Sequence, residues 1–512
     1  MRQIDNHVRA GSPALVAPDD LGPEANPKAA PKVETPKEEL AREARAKAQE
    51  EKVVRWRQIV DAGGTEKWVE SQIVAKGLRV EGDPTKLTGK EKESWKERKK
   101  AETDARKELK KLAWGAYHAT HILHLGAGIH WEENPDPDKY DTTDRDQRLK
   151  STGLPDITGA DDLAKQMGLT ISRMRWMAYH REVDTGTHYR RWQIPKRDGS
   201  ARTITAPKKD LKAAQRWALR NVFEKLPVHG AAHGFLPDRS VVSNAVPHAG
   251  AHTVLKLDVK EFFPTITWKR VKGLLRKSGL REQAATLLAL LVTESPRQAV
   301  EFRGRTLFVA TGPRALPQGS PASPAVSNAI CLRLDRRVSA LAKKFGCRYT
   351  RYADDLTFSW HGTEEEDDDG GYATEGYGHG YGQGSAKEKK EPRPRAPIGA
   401  VLHGVNEIVI AEGFILNEEK TRIMRADDRQ RVTGLIVNKP PKGVKIPAAR
   451  VPRTTLRKLR AAVHNLEKGK KPTHEDTLDQ LKGMAAFVYM TDKKKGGDFL
   501  KRLSVIESKG TA

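Results

Sequence analysis

Three aspartates give this 512-residue chain its first chemical signal. The run Val254-Leu255-Lys256-Leu257-Asp258-Val259 alternates, with Leu255, Leu257 and Val259 on one face and Lys256 and Asp258 on the other, which predicts a strand presenting a carboxylate on its polar face. Further on, Tyr349-Thr350-Arg351-Tyr352-Ala353-Asp354-Asp355-Leu356-Thr357-Phe358 reads as two β-prone runs around an Ala-Asp-Asp turn, a hairpin with acids at its tip. Adjacent carboxylates repel unless a cation lies between them, so a hard divalent ion is their natural partner, with Asp258 as third ligand. Two Mg²⁺ ions held this way can activate a 3′-hydroxyl and steady a pyrophosphate leaving group. An Asp-Asp pair also simply ends many hairpins, and alone it is a weak signal.

The scaffold that must position these acids is large, basic and free of obvious staples. Lys and Arg number 92 against 67 Asp and Glu, so 92 − 67 gives a net charge of +25, with a pI near 9.8. An excess of this size predicts a polyanionic partner, because neutralised phosphates release condensed counterions. No stretch of about 18 apolar residues and no apolar leader is present, which disfavours membrane and secreted readings and favours the cytoplasm. Two cysteines, Cys331 and Cys347, exclude a disulfide framework, a four-cysteine zinc site and an iron–sulfur cluster.

Composition divides the chain. Residues 1–37 read as a disordered tail rich in Pro, Ala and charge. Residues 38–150 read as a basic helical N-terminal extension, broken at Gly63-Gly64 and Asp83-Pro84, with Trp56, Ile59, Val60, Trp68, Ile73 and Leu78 as sparse anchors. It is either an RNA-holding arm or a set of solvated charged helices. His118, His121, His124 and His130 invite a metal reading, but a helix fans the first three over about 120°, so ordinary polar positions are preferred. Residues 157–180 read as helix, turn, helix, taken as a structural lead-in rather than a DNA reader. The acidic and Gly/Tyr-rich run 362–397 reads as a flexible insertion. Near the C-terminus, Leu456, Leu459, Val463 and Leu466 mark an amphipathic helix with a basic outer face.

The neighbours of the acids sharpen the picture. Ala315-Leu316-Pro317-Gln318-Gly319-Ser320-Pro321-Ala322-Ser323-Pro324 leads into an apolar helix containing Asn328, and together with Tyr-Ala-Asp-Asp it resembles the reverse transcriptases. The same order holds for Ile194-Pro195-Lys196-Arg197-Asp198-Gly199-Ser200-Ala201-Arg202-Thr203-Ile204, for Asp258-Val259-Lys260-Glu261-Phe262-Phe263-Pro264, and for Gly413-Phe414-Ile415-Leu416-Asn417-Glu418-Glu419-Lys420-Thr421. Asn244-Ala245-Val246-Pro247-His248 and Val432-Thr433-Gly434 narrow the resemblance to bacterial retron reverse transcriptases, over roughly residues 155–490. The long N-terminal extension is similar to that of the myxobacterial members.

The resemblance implies an α+β right-hand polymerase fold: fingers over 151–250, a ferredoxin-like split βαβ palm over 251–445 carrying the insertion, and a helical thumb over 446–512. It implies metal ligation by Asp258, Asp354, Asp355 and the backbone carbonyl of Val259. Lys196 and Arg202 would pair with the incoming triphosphate, and Phe263 would gate against a ribose 2′-hydroxyl. Gln318 and Gly319 would border the nucleotide, and Lys420 would protonate pyrophosphate. Asn244 and His248 would recognise RNA or, with equal weight, support the palm; Thr433 and Gly434 suggest RNA contact near the priming site.

The activity so implied is RNA-directed DNA synthesis on a cognate structured noncoding RNA, primed from a guanosine 2′-hydroxyl and yielding a branched, RNA-linked single-stranded DNA in anti-phage defence. Deoxynucleoside triphosphates would be substrates, a separately encoded effector and host RNase H would be partners, and no membrane is involved. A group II intron maturase-like enzyme, a diversity-generating reverse transcriptase and a non-catalytic RNA-binding scaffold are the competing readings. The intact Asp258, Asp354, Asp355 and Gln318 argue against the scaffold.

Overall fold

The computed structural model describes residues 36–122, 124–129, 144–195, 199, 201–361, 396–439, 448–472 and 476–508. The chain forms two compact units, residues 1–120 and 121–512. Residues 1–35 of the tail, His130, Lys196 and nearly all of the 362–397 run lie outside the described residues.

In the first unit, α1 (Pro36–Asp61), α2 (Thr65–Ala75) and α3 (Gly89–Thr120) break at the two predicted places. Gly63 and Gly64 take φ of +79° and +115°, which a residue with a side chain adopts only under strain. Ile59, Trp68, Val69, Ile73, Leu109, Ala113 and Ala116 make a small core. Val60, expected as an anchor, is exposed, because it follows Ile59 around the helix by about 100°. Helix α3 ends at Thr120, so His121 and His124 do not continue the helical series begun by His118.

The second unit starts at His121 rather than at 151. Ile122, Leu125, Ile129 and Leu149 of the presumed extension are buried in its main core, which fixes the boundary by packing rather than composition. It runs α4 (Arg145–Thr152), α5 (Ala160–Gln166), α6 (Ile171–Ala178), β1 (Val183–Asp184), β2 (Tyr189–Pro195), β3 (Ala201–Pro207), α7 (Lys209–Asn221) and α8 (Val241–Ala245). Leu163, Ala164, Ile171, Met174 and Met177 of α5 and α6 point into the core, as a structural lead-in requires.

Then come β4 (Thr253–Asp258), α9 (Trp268–Lys277), α10 (Glu282–Val292), β5 (Arg297–Phe302), β6 (Arg305–Ala310), α11 (Ser323–Ile330), α12 (Leu332–Lys344), β7 (Arg348–Tyr352), β8 (Asp355–Trp360), α13 (Ile398–Ala411) and β9 (Arg422–Arg425). Strands β7, β8, β4 and β9 lie side by side in that order with every pair antiparallel. That order, with helices between β4 and β7 and between β8 and β9, is the ferredoxin-like arrangement expected of a polymerase palm. Strands β2 and β3 form a separate two-stranded ribbon, and β1, β6 and β5 a three-stranded sheet.

Strand β4 is buried on both faces, not one. Leu255 and Leu257 enter the main core, while Val254 enters a second core shared with Val432, Leu435, Leu459, Val463, Leu481 and Leu503. These last residues come from β10 (Arg431–Val432), β11 (Leu435–Ile436), α14 (Arg453–Glu467), α15 (Leu478–Thr491) and α16 (Lys493–Ser508). The C-terminal helices are thereby joined to the sheet through apolar packing. Leu459 and Val463 of α14 face inward and Arg457 and Arg460 outward, as the spacing predicts.

Candidate active site

Antiparallel pairing of β4 with β8 sets Asp258 directly opposite Asp355. Tyr352 pairs with Asp355 across the β7–β8 hairpin, so Ala353 and Asp354 are its two-residue loop. Ala353 has φ of +58°, where such loops commonly use glycine. The Val259 amide donates to the Asp354 carbonyl at 3.0 Å and the Asn417 amide to the Asp258 carbonyl at 2.7 Å, clamping both acidic segments and the chain leading to Lys420. Carboxylates from two segments distant in sequence, Asp258 on one and the adjacent Asp354 and Asp355 on the other, thus converge at one end of the sheet.

Lysines offset part of their charge. Lys420 Nζ donates to Asp258 Oδ1 at 2.9 Å and Lys256 Nζ to Asp355 Oδ2 at 3.2 Å. Asp258 holds the Lys420 ammonium above its ordinary pKa through this hydrogen bond, keeping it protonated. Among the described residues no three His, Cys, Asp or Glu side chains are grouped so as to enclose an ion, and Lys256 and Lys420 each pair with one of the acids. The donor set of carboxylates and backbone carbonyls nevertheless fits a hard cation.

Asp354 carries the cost of this crowding. Burial, then the charges of Asp258 and Asp355, push its pKa up to about 6. An unfolded aspartate titrates near 3.9, so the native state gains a proton between about pH 4 and 6 and carries a penalty above that range. The associated stability is present below about pH 4 and lost as pH rises through about 6. A divalent cation should therefore raise the melting temperature at pH 7.5 and do so less at pH 5. Asp354→Asn should stabilise the metal-free protein at pH 7.5 and shrink the cation response; equal metal-induced shifts at both pH values would contradict this.

The fingers ribbon meets the Leu-Pro-Gln-Gly turn. Thr205 of β3 donates its amide to the Gln318 carbonyl at 2.6 Å. Gly319 has φ of +123°, and a Cβ there would lie 2.9 Å from the Thr205 carbonyl oxygen, so this contact requires glycine. Arg202, exposed on β3, faces Ile194 across the ribbon. Phe263 is half-buried against the core, its ring 5.5 Å from that of Phe262, which is buried on Phe414.

Of the two readings left open for Asn244 and His248, RNA recognition or support of the palm, their position favours the second. Both are fully buried. The His248 ring bridges Ser359 Oγ of β8 and Thr350 Oγ1 of β7, each at 2.7 Å, and burial lowers its pKa to about 3, so it stays neutral. It cross-links the two strands of the acidic hairpin. Asn244 Nδ2 lies 3.5 Å from Thr433 Oγ1, which donates to the Val241 carbonyl at 2.9 Å. Thr433 and Gly434, with φ of +43° and +88°, form the β10–β11 turn, a pair of positive angles typical of type I′. A β-branched residue at positive φ is strained, and the α8 contacts hold it there. Two motifs 189 positions apart are therefore one structural unit.

Sequence reasoning missed the network under the hairpin. Arg351 and Asp335 are completely buried and doubly hydrogen-bonded, with Arg351 Nη2 to Asp335 Oδ2 at 2.7 Å and Arg351 Nε to Asp335 Oδ1 at 2.8 Å. Arg351 Nη1 also donates to Asn328 Oδ1 and to the Ala353 carbonyl, both at 3.1 Å. The available signal was a charged residue three positions before the first of the acids, in a β-prone run.

Comparison with known proteins fits this geometry. A family model described as reverse transcriptase (RNA-dependent DNA polymerase) matches residues 194–445. The Retron Mx162 reverse transcriptase of Myxococcus xanthus is 52% identical over 96% of this chain and 98% of its own. The chain belongs to the retron reverse transcriptases. Retron Mx65 reverse transcriptase of the same organism is 38% identical, covering 69% of this chain and 73% of its own. Retron Ec86 reverse transcriptase of Escherichia coli is 27% identical over 71% and 93%. A solved telomerase from Candida albicans aligns at 12% identity with a TM-score of 0.32, covering 61% of this chain and 56% of that one, too slight a likeness to carry an argument. As a retron reverse transcriptase the protein is an RNA-directed DNA polymerase with an RNA template and nucleotide substrates, and its domain is one that uses a divalent metal. Among the described residues no helix is long and apolar enough to cross a membrane.

Proposed function

We propose that this retron reverse transcriptase copies a cognate structured noncoding RNA into a branched, RNA-linked single-stranded DNA, starting from a guanosine 2′-hydroxyl. The observation that carries the catalytic part is the in-register opposition of Asp258 and Asp355 with Asp354 in the adjoining turn. Asp258, Asp354, Asp355 and the Val259 carbonyl would hold two Mg²⁺ ions. When bound, these would supply charge for the attacking hydroxyl and the leaving pyrophosphate.

The chain's own groups do the rest. Arg202 on the ribbon, with Lys196, pairs with the triphosphate of the incoming nucleotide. Spread cationic charge suits a transition state whose charge lies on equatorial phosphate oxygens. Gln318 and Gly319, fixed to β3, border that nucleotide. Lys420, protonated beside Asp258, lies at the leaving-group side and delivers its proton to pyrophosphate as the bond breaks. Phe263 sets the floor under the sugar. Phe263→Ala should raise ribonucleotide incorporation by about 10-fold or more, read as the ratio of kcat/KM for deoxy- and ribonucleotides. Unchanged discrimination would place the gate on another residue.

Asn244 and His248 brace the hairpin, and the Thr433-Gly434 turn carries RNA contact near the priming site. The work is done in the cytoplasm, in anti-phage defence, with a separately encoded effector and host RNase H as partners. Fingers, palm and thumb divide near residues 250 and 446. The test is expression of the gene with its native flanking DNA, beside an Asp354→Asn/Asp355→Asn control. A discrete RNase-sensitive branched DNA made only with intact acids supports the proposal. Absence of that species, with generic primer extension retained, would leave the polymerase and remove the branched product.

A further inference from the structure

A strained, exposed aromatic lies beside the acids, and none of the roles above uses it. Residues 231–233 run along the edge of β7: Ala232 bridges Arg351 in parallel, the His233 amide donates to the Arg351 carbonyl at 2.8 Å, and the Arg351 amide donates to the Ala231 carbonyl at 2.7 Å. Gly234 then approaches the acidic turn so closely that a Cβ would lie 2.8 Å from the Ala353 nitrogen. Asn328 Nδ2 donates to the Gly234 carbonyl at 2.8 Å, tying this segment to the Arg351 network. The next residue, Phe235, has φ of +62°, and Asp238 follows at +58°.

Phe235 does not fill the core. It is 48% exposed, and its ring centroid lies 6.2 Å from that of Tyr352, inclined at 44°. A bulky side chain at positive φ is unfavourable, and such strain persists where the surroundings impose it and function uses it. Core packing does not require the ring, which stands exposed beside Tyr352 of the acidic hairpin.

We propose that Phe235, with Tyr352 beside it, is the platform against which the terminal nucleotide of the priming strand packs. Across the sheet the order is 231–235, β7, β8, β4, β9, while Lys420 reaches Asp258 just before β9 begins. Phe235 and Lys420 therefore flank the acids from opposite sides. Phosphoryl transfer sets the attacking and leaving oxygens roughly in line on opposite sides of phosphorus. With pyrophosphate at Lys420, the nucleotide bearing the attacking hydroxyl falls on the Phe235 side. Helix α8, six residues further on, holds the Thr433 turn proposed above to contact RNA. An aromatic face suits this task because it grips any base without reading it. The inference rests on the polymerase reading and on the role proposed for Lys420.

The test uses the full chain with Mg²⁺ and a DNA primer annealed to an RNA template, comparing wild type, Phe235→Gly, Phe235→Leu and Phe235→Tyr. Glycine suits the positive φ, so the fold is retained, and a melting curve checks it. The expected result is a primer–template KM raised about 5- to 100-fold in the Gly and Leu variants, the loss of one stacking contact. The nucleotide KM should stay within about twofold, and Phe235→Tyr should restore primer binding. An unchanged primer–template KM, or an effect confined to the nucleotide KM, overturns the proposal. Wild-type protein that extends no primer overturns the polymerase reading, and this placement with it.

Discussion

Asp355→Asn should leave the protein folded and lower RNA-templated DNA synthesis by at least about 10³-fold, an effect on the scale of deleting a principal electrostatic group from an active site. Asp355 is half-buried at the end of β8, opposite Asp258, and its side chain makes no contribution to either apolar core. The amide replaces a carboxylate of the same shape, so strand pairing survives. What is lost is charge at the proposed cation site, and backbone hydrogen bonds fix the segments of Asp258 and Asp354 in their own places. Lys256 loses its partner but is partly exposed and can turn to water. Primer extension measured beside a thermal melt separates the two effects. Activity within about tenfold of wild type would remove Asp355 from the metal-binding set.

Arg351→Met should be the most damaging change to the fold, by about 3–5 kcal/mol, because removing one member of a buried ion pair leaves the other charged and unsolvated. Arg351 and Asp335 are both 0% exposed, so no water can take over. The same change frees the Ala353 carbonyl and Asn328, and with them the support of the acidic turn and of Gly234. The double variant Arg351→Met/Asp335→Leu should recover much of the loss in chemical denaturation, since two apolar side chains need no partner. Activity should not return with it, as the turn remains unsupported. Equal destabilisation by the single and double variants would show that packing volume, not charge, dominates.

Much of the site was legible because its signals are local. Alternation predicted β4, and the Ala-Asp-Asp turn predicted the hairpin. The Gly63-Gly64 pair and the Asp83-Pro84 step located the breaks in the N-terminal helices. Periodicity found the inward face of α14. In each case a few neighbouring residues carry the physical cause, either backbone freedom or the period of a buried face.

What needed the tertiary structure involves partners far apart in sequence. Alternation could not tell that β4 is covered on both faces, because the second layer comes from residues 432–503. Composition drew the extension's end at 150, whereas burial of Ile122, Leu125 and Leu149 moves the start of the second unit to His121. Asn244 and His248 are polar residues in a short motif, and nothing local separates an RNA contact from a buried brace; the positions of Thr433, Thr350 and Ser359 favour the brace. Arg351 is chemically indistinguishable in the sequence from the many arginines of a chain carrying +25 net charge, and it becomes the keystone of the acidic turn only when α12 brings Asp335 beneath it. The sequence by itself determined the chemistry, since carboxylates, cations and glycines act through their types and near neighbours. The tertiary structure decided which polar groups are buried and which face the cleft, because burial is a property of the whole packing.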